Sequence, residues 1–341
     1  VRTLGVVIPC YRQERFLPRT VAALDRIPAG WAADGVLVMA ATGGGLITSP
    51  APPFEPGPES GWRTLRPAES RGGAPLTPGA ARMHGLAACG GDWVLFVDAD
   101  VEVDAAWLAR ALETIDAAER EGEASRLAGL WGRIEEWFID GIDERRGSPD
   151  LYRVGEDARD VEYLATLALY RRAALADAGG YDPRLRSEED FELGLRLRAQ
   201  GWSLQSLPLL SARHWSAPRP SFSELGRRWN SGLCFGQGQV LRLYLGRPGF
   251  TTLLRRQSLY LATIALWGLG VAAAIVSLMR ASAAPILAWL TLPAALLVVM
   301  STRKRSVRLA VHSILTWTLN GLGLLVGWFR VEPRPRGEVT C

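Results

Sequence analysis

The chain has 341 residues, 48% hydrophobic and 22% charged, with 36 Gly, 21 Pro and four Cys, which excludes a disordered, collagen-like or disulfide-stapled protein. At ~100–200 residues per domain, the length allows two or three folding units with a sizeable core. The formal net charge is +4, yet Lys304 is the one lysine among 39 basic residues; an arginine excess beside abundant Ala and Gly reads as coding bias, and no nucleic-acid partner is expected.

In chain order, residues 4–8 form a short apolar run stopped by Pro9. It is much shorter than the apolar core of a secretory signal, so no export signal is expected. Runs at 4–8, 35–39 and 93–97 read as strands, and runs at 15–27, 78–89, 105–121 and 191–200 read as helices. Their alternation predicts an α/β domain with a mostly parallel sheet. Residues 42–78, rich in Gly, Pro and Ser, read as long loops holding one strand near 62–66. Cys10, Cys89, Cys234 and Cys341 lack Cys-x-x-Cys spacing, so neither a zinc site nor a disulfide frame is expected.

Two acidic patterns carry chemistry. The apolar run 93–97 ends in Asp98-Ala99-Asp100. In a parallel sheet the carboxyl edge is where ligands bind, and two hard oxygen donors there suit Mg²⁺ or Mn²⁺. The same aspartates are also good turn formers. Further on, Glu188-Glu189-Asp190 precedes a helical stretch closed by Arg198 and Gly201. Acids at a helix start complement its dipole, so this cluster alone does not require catalysis.

Beyond residue 250 the composition changes. Residues 257–279, 283–300 and 309–329 are free of Asp, Glu, Lys and Arg, although the third run contains His312 and Asn320. About 20 apolar residues span a bilayer, so these runs are expected to be transmembrane. Arg255 and Arg256 before the first, and Arg303, Lys304, Arg305 and Arg308 after the second, place both flanks in the cytoplasm. Arg330, Arg334 and Arg336 also favour a cytoplasmic tail, which leaves the third run open between a span and a re-entrant or interfacial helix. Residues 222–256 mix Arg227, Arg228, Arg242, Arg247, Trp229 and Tyr244 with apolar residues, as interfacial helices do.

The motifs together resemble family 2 glycosyltransferases of the GT-A fold, in a membrane-anchored bacterial form. Gly5-Val6-Val7-Ile8-Pro9-Cys10-Tyr11-Arg12 is similar to that family's opening strand and nucleotide loop. Pro78-Gly79-Ala80-Ala81-Arg82-Met83-His84 and then Asp98-Ala99-Asp100 resemble its central helix and DxD strand. Tyr170-Arg171-Arg172, Gly179-Gly180-Tyr181-Asp182 and Glu189-Asp190-Phe191-Glu192-Leu193 resemble its acceptor-side block, so the likeness runs over about residues 4–235.

The resemblance implies an inverting transfer of a sugar from a nucleotide-diphosphate donor, with Asp190 as the base and Glu189 beside it. It implies donor contacts from Pro9, Tyr11, Arg82 and Asp98, and a Mg²⁺ or Mn²⁺ ion held by Asp98, Asp100 and His214. Arg227, Arg228 and Trp229 resemble the end of an acceptor motif, although Leu225 stands where a Gln is usual. The strand 36–39 runs on into Ala40-Ala41-Thr42-Gly43, where the family usually places nucleobase aspartates, and Met83 replaces a common Asn.

The expected organisation is a GT-A domain at 1–220, interfacial helices at 221–256, a transmembrane region at 257–330 and a tail at 331–341. The protein is expected to be a multi-pass component of the cytoplasmic membrane in the cell envelope, with its catalytic domain in the cytosol. Its partners are then a nucleotide-diphosphate sugar, the bilayer and a lipid-linked or other membrane acceptor. The alternative is a catalytically degenerate, membrane-bound nucleotide-sugar-binding or scaffold protein.

Overall fold

The computed structural model describes residues 1–11, 13–39, 61–67, 76–121, 125–216 and 222–331. Arg12, Ala40 to Gly43, most of the expected 42–78 loops, and Arg334, Arg336 and Cys341 in the tail lie outside the described residues. The chain divides into two units, the first comprising Val1–Leu185 and Glu189–Pro218, the second Arg186–Glu188 and Arg219–Arg336.

The first unit is built on one mixed sheet. Its strands are β1 (Arg2–Cys10), β2 (Trp31–Met39), β3 (Trp62–Leu65), β4 (Trp93–Val97), β5 (Val101–Val103), β6 (Leu127–Asp140), β7 (Asp143–Arg146), β8 (Arg159–Asp160), β9 (Leu167–Arg171) and β10 (Ser203–Ser216). The helices around it are α1 (Leu17–Leu24), α2 (Pro78–Ala88), α3 (Ala105–Arg120), α4 (Arg172–Ala178) and α5 (Glu189–Ala199).

The order across the sheet is β3-β2-β1-β4-β9-β6-β10-β5. The expected parallel pairing holds for β3-β2-β1-β4 and again for β6-β10. Between the two parallel groups, β9 runs antiparallel to both β4 and β6, and β5 closes the edge antiparallel to β10. Because β9 reverses direction once on each side, β1, β4, β6 and β10 all point the same way. Their carboxyl ends share one edge, as a ligand-binding edge requires.

All five residues of β4 are buried, which is why its sequence is continuously apolar rather than alternating. Helix α2 starts with Pro78 at its first position, and the Thr77 side chain accepts from the Ala80 N–H at 3.1 Å. It lies tightly on the sheet because Gly85 carries no side chain: a Cβ there would stand 2.2 Å from Val7 Cγ1. Asp104 caps α3 by accepting from the N–H groups of Ala106 and Trp107.

The second unit is helical, with α6 (Phe222–Asn230), α7 (Gly236–Leu243), α8 (Phe250–Arg256), α9 (Ser258–Met279), α10 (Ala284–Lys304) and α11 (Val307–Phe329). Three of these, α9, α10 and α11, are long and apolar enough to cross a membrane. The third run is thus one continuous 23-residue helix. Its Asn320 is accommodated by donating from Nδ2 to the Thr316 carbonyl at 2.8 Å. Residues 234–238 lie against the glycine face of α11, where a Cβ at Gly323 would stand 2.2 Å from the Cys234 carbonyl oxygen and one at Gly327 1.9 Å from that of Phe235. Helix α7, within the stretch read as interfacial, is accordingly buried in this unit together with Gln237 and Gln239.

Candidate active site

The turn Asp98-Ala99-Asp100 leaves β4 at the carboxyl edge and is fixed through its main chain. The Asp98 N–H donates to the Thr166 carbonyl at 2.9 Å, the Ala99 carbonyl accepts from Thr20 Oγ1 at 2.8 Å, and the Asp100 carbonyl accepts from the Trp215 N–H at 2.8 Å. Thr166 is left-handed, with φ of +66°, and its hydroxyl is hydrogen-bonded to the Tyr152 hydroxyl. A β-branched residue in that region stores on the order of 1–3 kcal/mol of strain, which the surrounding contacts must offset.

Arg82 occupies the centre of the site. It projects from α2 with its side chain 6% exposed and donates from Nη2 to Asp98 Oδ1 at 2.9 Å and from Nη1 to Glu189 Oε1 at 2.7 Å. Asp190 Oδ1 lies 3.6 Å from the same Nη1. The guanidinium sits over the Tyr181 ring at 5.2 Å. Tyr181 is delivered by Gly179 and Gly180, both left-handed at φ +73° and +66°, which end α4. Burial alone disfavours the Arg82 charge, but the facing carboxylates Asp190, Asp98 and Glu189 outweigh it and hold the group well above its ordinary value. Burial raises the Asp98 carboxyl, with Asp100 adding to the rise and Arg82 opposing it.

Glu189 and Asp190 form the first turn of α5, so the helix begins two residues before the expected 191. Their charges face the amino end of that dipole while Arg82 gathers them with Asp98. Two patterns some 90 residues apart in sequence therefore meet on one guanidinium.

On the other side of the turn, Gln13 Nε2 donates to Asp100 Oδ2, and His214 Nε2 lies 3.4 Å from that same oxygen. Asp100 Oδ1 is buried and meets no hydrogen-bond partner among the described residues. An oxygen in that condition suits a divalent cation, as does the pairing of a carboxylate with an imidazole. No three His, Cys, Asp or Glu side chains among the described residues form a group that could hold a metal ion, so the expected set Asp98, Asp100 and His214 is not assembled as one; Asp98 Oδ1 is engaged by Arg82.

Pro9 lies near the end of β1, paired in register with Val38, and Tyr11 follows the strand at the same edge. Arg227, Arg228 and Trp229 lie on α6 in the second unit, where Arg227 pairs with Glu224 and Trp229 packs edge-on to Phe235 at 5.2 Å. Arg172, within the stretch that resembles an acceptor block, serves a different purpose. Its guanidinium donates to the carbonyls of Leu86, Cys89, Gly90 and Gly91, which ties α4 to the loop before β4. Gln13 and Thr166 enter the site without a pattern in their neighbourhood that singles them out, whereas Tyr181 belongs to the Gly179-Gly180-Tyr181-Asp182 motif.

Residues 71–177 match the family described as Glycosyl transferase family 2. Over 151 residues the chain is 29% identical to the pre-mycofactocin glycosyltransferase of Mycobacterium tuberculosis, in strains CDC 1551 and H37Rv, a match covering 40% of this chain and 30% of the relative. The chain thus spans under a third of the length of those curated relatives. Among solved structures, S. aureus TarS 1-349 in complex with UDP-GlcNAc is 17% identical, with a TM-score of 0.44, over 67% of this chain and 64% of that one. GalNAc-T7 with UDP, GalNAc and Mn²⁺ is 19% identical, with a TM-score of 0.45, over 63% and 44%. Residues 71–177, which carry Arg82 and the DxD turn, lie in the first unit with its mixed α/β sheet, and their match supports a family 2 glycosyltransferase domain there. The chain joins that domain to three apolar helices of membrane-spanning length.

Proposed function

We propose that the protein is an inverting glycosyltransferase that moves a sugar from a nucleotide-diphosphate donor to a hydroxyl or phosphate of a membrane-associated, lipid-linked acceptor. The observation that carries this reading is the double engagement of Arg82, which gathers the donor-side Asp98 and the acceptor-side Glu189 and Asp190 at one sheet edge. A scaffold would have no need to bury a cation among three carboxylates, an arrangement that costs several kcal/mol per desolvated ion before pairing offsets it.

In the transfer, an acceptor oxygen attacks the anomeric carbon opposite the leaving diphosphate. The new carbon–oxygen bond forms as the carbon–phosphate-oxygen bond breaks, its electron pair leaving with the nucleoside diphosphate. Asp190 takes the acceptor proton, Glu189 sets its position, and Arg82 holds both while remaining charged. Asp100 and His214 fit Mg²⁺ or Mn²⁺, which when bound neutralises charge on the leaving diphosphate. The apolar helices and the arginines around them support the reading of the protein as a multi-pass component of the cytoplasmic membrane with its catalytic unit in the cytosol.

A thermal-shift screen of UDP-, GDP- and dTDP-sugars with Mn²⁺ tests the reading. One donor class should raise the midpoint in a metal-dependent way. Absence of any shift across the panel at millimolar donor would count against it.

A further inference from the structure

Beside the DxD turn, at the carboxyl ends of β6 and β10, lies a cleft of about 390 Å³, lined by Arg19, Glu102, Trp137, Glu144, Arg213 and Trp215. Trp137 and Trp215 occupy paired positions on adjacent parallel strands, so their rings project from the same face, 5.6 Å apart and inclined at 44°. Trp215 is buried and backs the cleft, while the half-buried Trp137 gives it an aromatic surface. Both indole N–H groups are committed, Trp137 to Glu135 at 3.0 Å and Trp215 to Glu102 at 3.1 Å, so the rings are fixed in orientation. Arg19 lies over the Trp215 ring at 4.6 Å, and Arg213 is 5.9 Å from the Trp137 ring centre.

We propose that this cleft binds a pyranose ring of the acceptor, so that the acceptor already carries a sugar where the new one is added. The proposal rests on the transfer reading given above. A pyranose has an apolar face of C–H groups and a rim of hydroxyls. An aromatic face with a negative quadrupole matches the first, and planar carboxylates and guanidinia around it match the second. The charged lining is balanced, two arginines against two glutamates, with Arg19 paired to Glu144 at 2.6 Å and Arg213 to Glu102 at 3.7 Å. That balance favours a neutral, hydroxyl-rich ligand over a phosphate.

The Trp215 main-chain N–H donates to the Asp100 carbonyl, so the cleft adjoins the DxD turn.

The test uses the full chain in detergent with methyl β-D-glucopyranoside, methyl α-D-mannopyranoside, methyl β-D-galactopyranoside and cellobiose as probes, followed by saturation-transfer NMR. At least one probe should receive saturation at its ring C–H protons. Trp137→Ala should weaken its binding about tenfold and Trp137→Phe should restore most of it. UDP with Mn²⁺ should leave the signal in place. No saturation for any probe, equal binding by Trp137→Ala, or displacement of the probe by UDP would each overturn the proposal. Nucleoside diphosphate release with a membrane lipid extract supplying the acceptor, measured on the same preparation, reads the transfer function separately. Release without glycoside binding sinks only the cleft assignment, whereas glycoside binding that depends on Trp137, without release from any donor, leaves the cleft standing and sinks the transfer reading.

Discussion

Arg82 and Asp98 are joined by a 2.9 Å hydrogen bond beneath the carboxyl edge of the sheet, and the other arm of the same guanidinium holds Glu189. Because the Arg82 side chain is 6% exposed and that of Glu189 8%, water cannot replace either partner. Removing the cation leaves buried carboxylates uncompensated. Arg82→Met should therefore destabilise the folded chain by about 3–5 kcal/mol, read as a lowered denaturation midpoint. Arg82→Met with Glu189→Gln should recover part of that loss, since one of the stranded charges is gone. Equal midpoints for the two variants would show that the ion pairs are energetically idle.

Asp190→Asn keeps the size and much of the hydrogen bonding of the side chain but cannot take a proton. Loss of a general base typically lowers kcat by about 10²- to 10⁴-fold, and donor affinity should stay within a few-fold. A loss expressed only in the donor KM would reassign Asp190 to binding.

Chelation should abolish turnover, and Mn²⁺ or Mg²⁺ should restore it. Asp100→Asn should raise the Mn²⁺ concentration needed for half-activity by at least about tenfold, the scale on which a metal ligand or its support is felt. The orphaned Oδ1 of Asp100 is the reason this residue is chosen in preference to Asp98, whose Oδ1 already has a partner. A metal requirement unchanged in Asp100→Asn would place the ion elsewhere.

The site also depends on how closely α2 lies on the sheet. Gly85→Ala forces a methyl group toward Val7 and should cost about 1–3 kcal/mol through overpacking. Adding Val7→Ala should return most of that stability and, with Arg82 back in register, most of the activity. Failure of the second substitution to rescue would mean that Gly85 matters for a reason other than this contact.

Burial, with Glu14 and Asp100 nearby, pushes the Cys10 thiol up from 9.0 to about 12. The unfolded thiol loses its proton near its ordinary value, whereas the folded one keeps it, so the stability contributed is present below pH 9 and lost as pH rises toward 12. At pH 8, Cys10 should resist iodoacetamide in the native chain and react once denatured, as peptide mass spectrometry would show. Rapid native alkylation would contradict its burial.

Much of this arrangement is legible in the residues, and the remainder is hidden for identifiable reasons. Strand β4 matches the run 93–97, because five buried residues in a row leave an unbroken apolar signature. The direction of β9 is not readable, since Leu167–Arg171 is a short apolar run and periodicity carries no sense of direction. Glu189 and Asp190 are recognisable as acids at a helix start, but their meeting with Arg82 needs the topology that brings α2 and α5 together. Gln13 reaches Asp100 from a loop with no repeating pattern at all. The basic residues Arg330, Arg334 and Arg336 leave the third apolar run open between a span and an interfacial helix, and the Asn320 within it hydrogen-bonds one turn back along α11.

In the proposed reaction the carboxylates gathered around Arg82 perform sugar transfer. Nucleoside diphosphate release from a panel of UDP-, GDP- and dTDP-sugars, measured with Mn²⁺ on the native chain and on Asp190→Asn, tests it most directly. The native chain should release nucleoside diphosphate from at least one donor, and the variant should lose nearly all release with the donor still bound. Donor binding without release across the whole panel, or equal release by both chains, would contradict it.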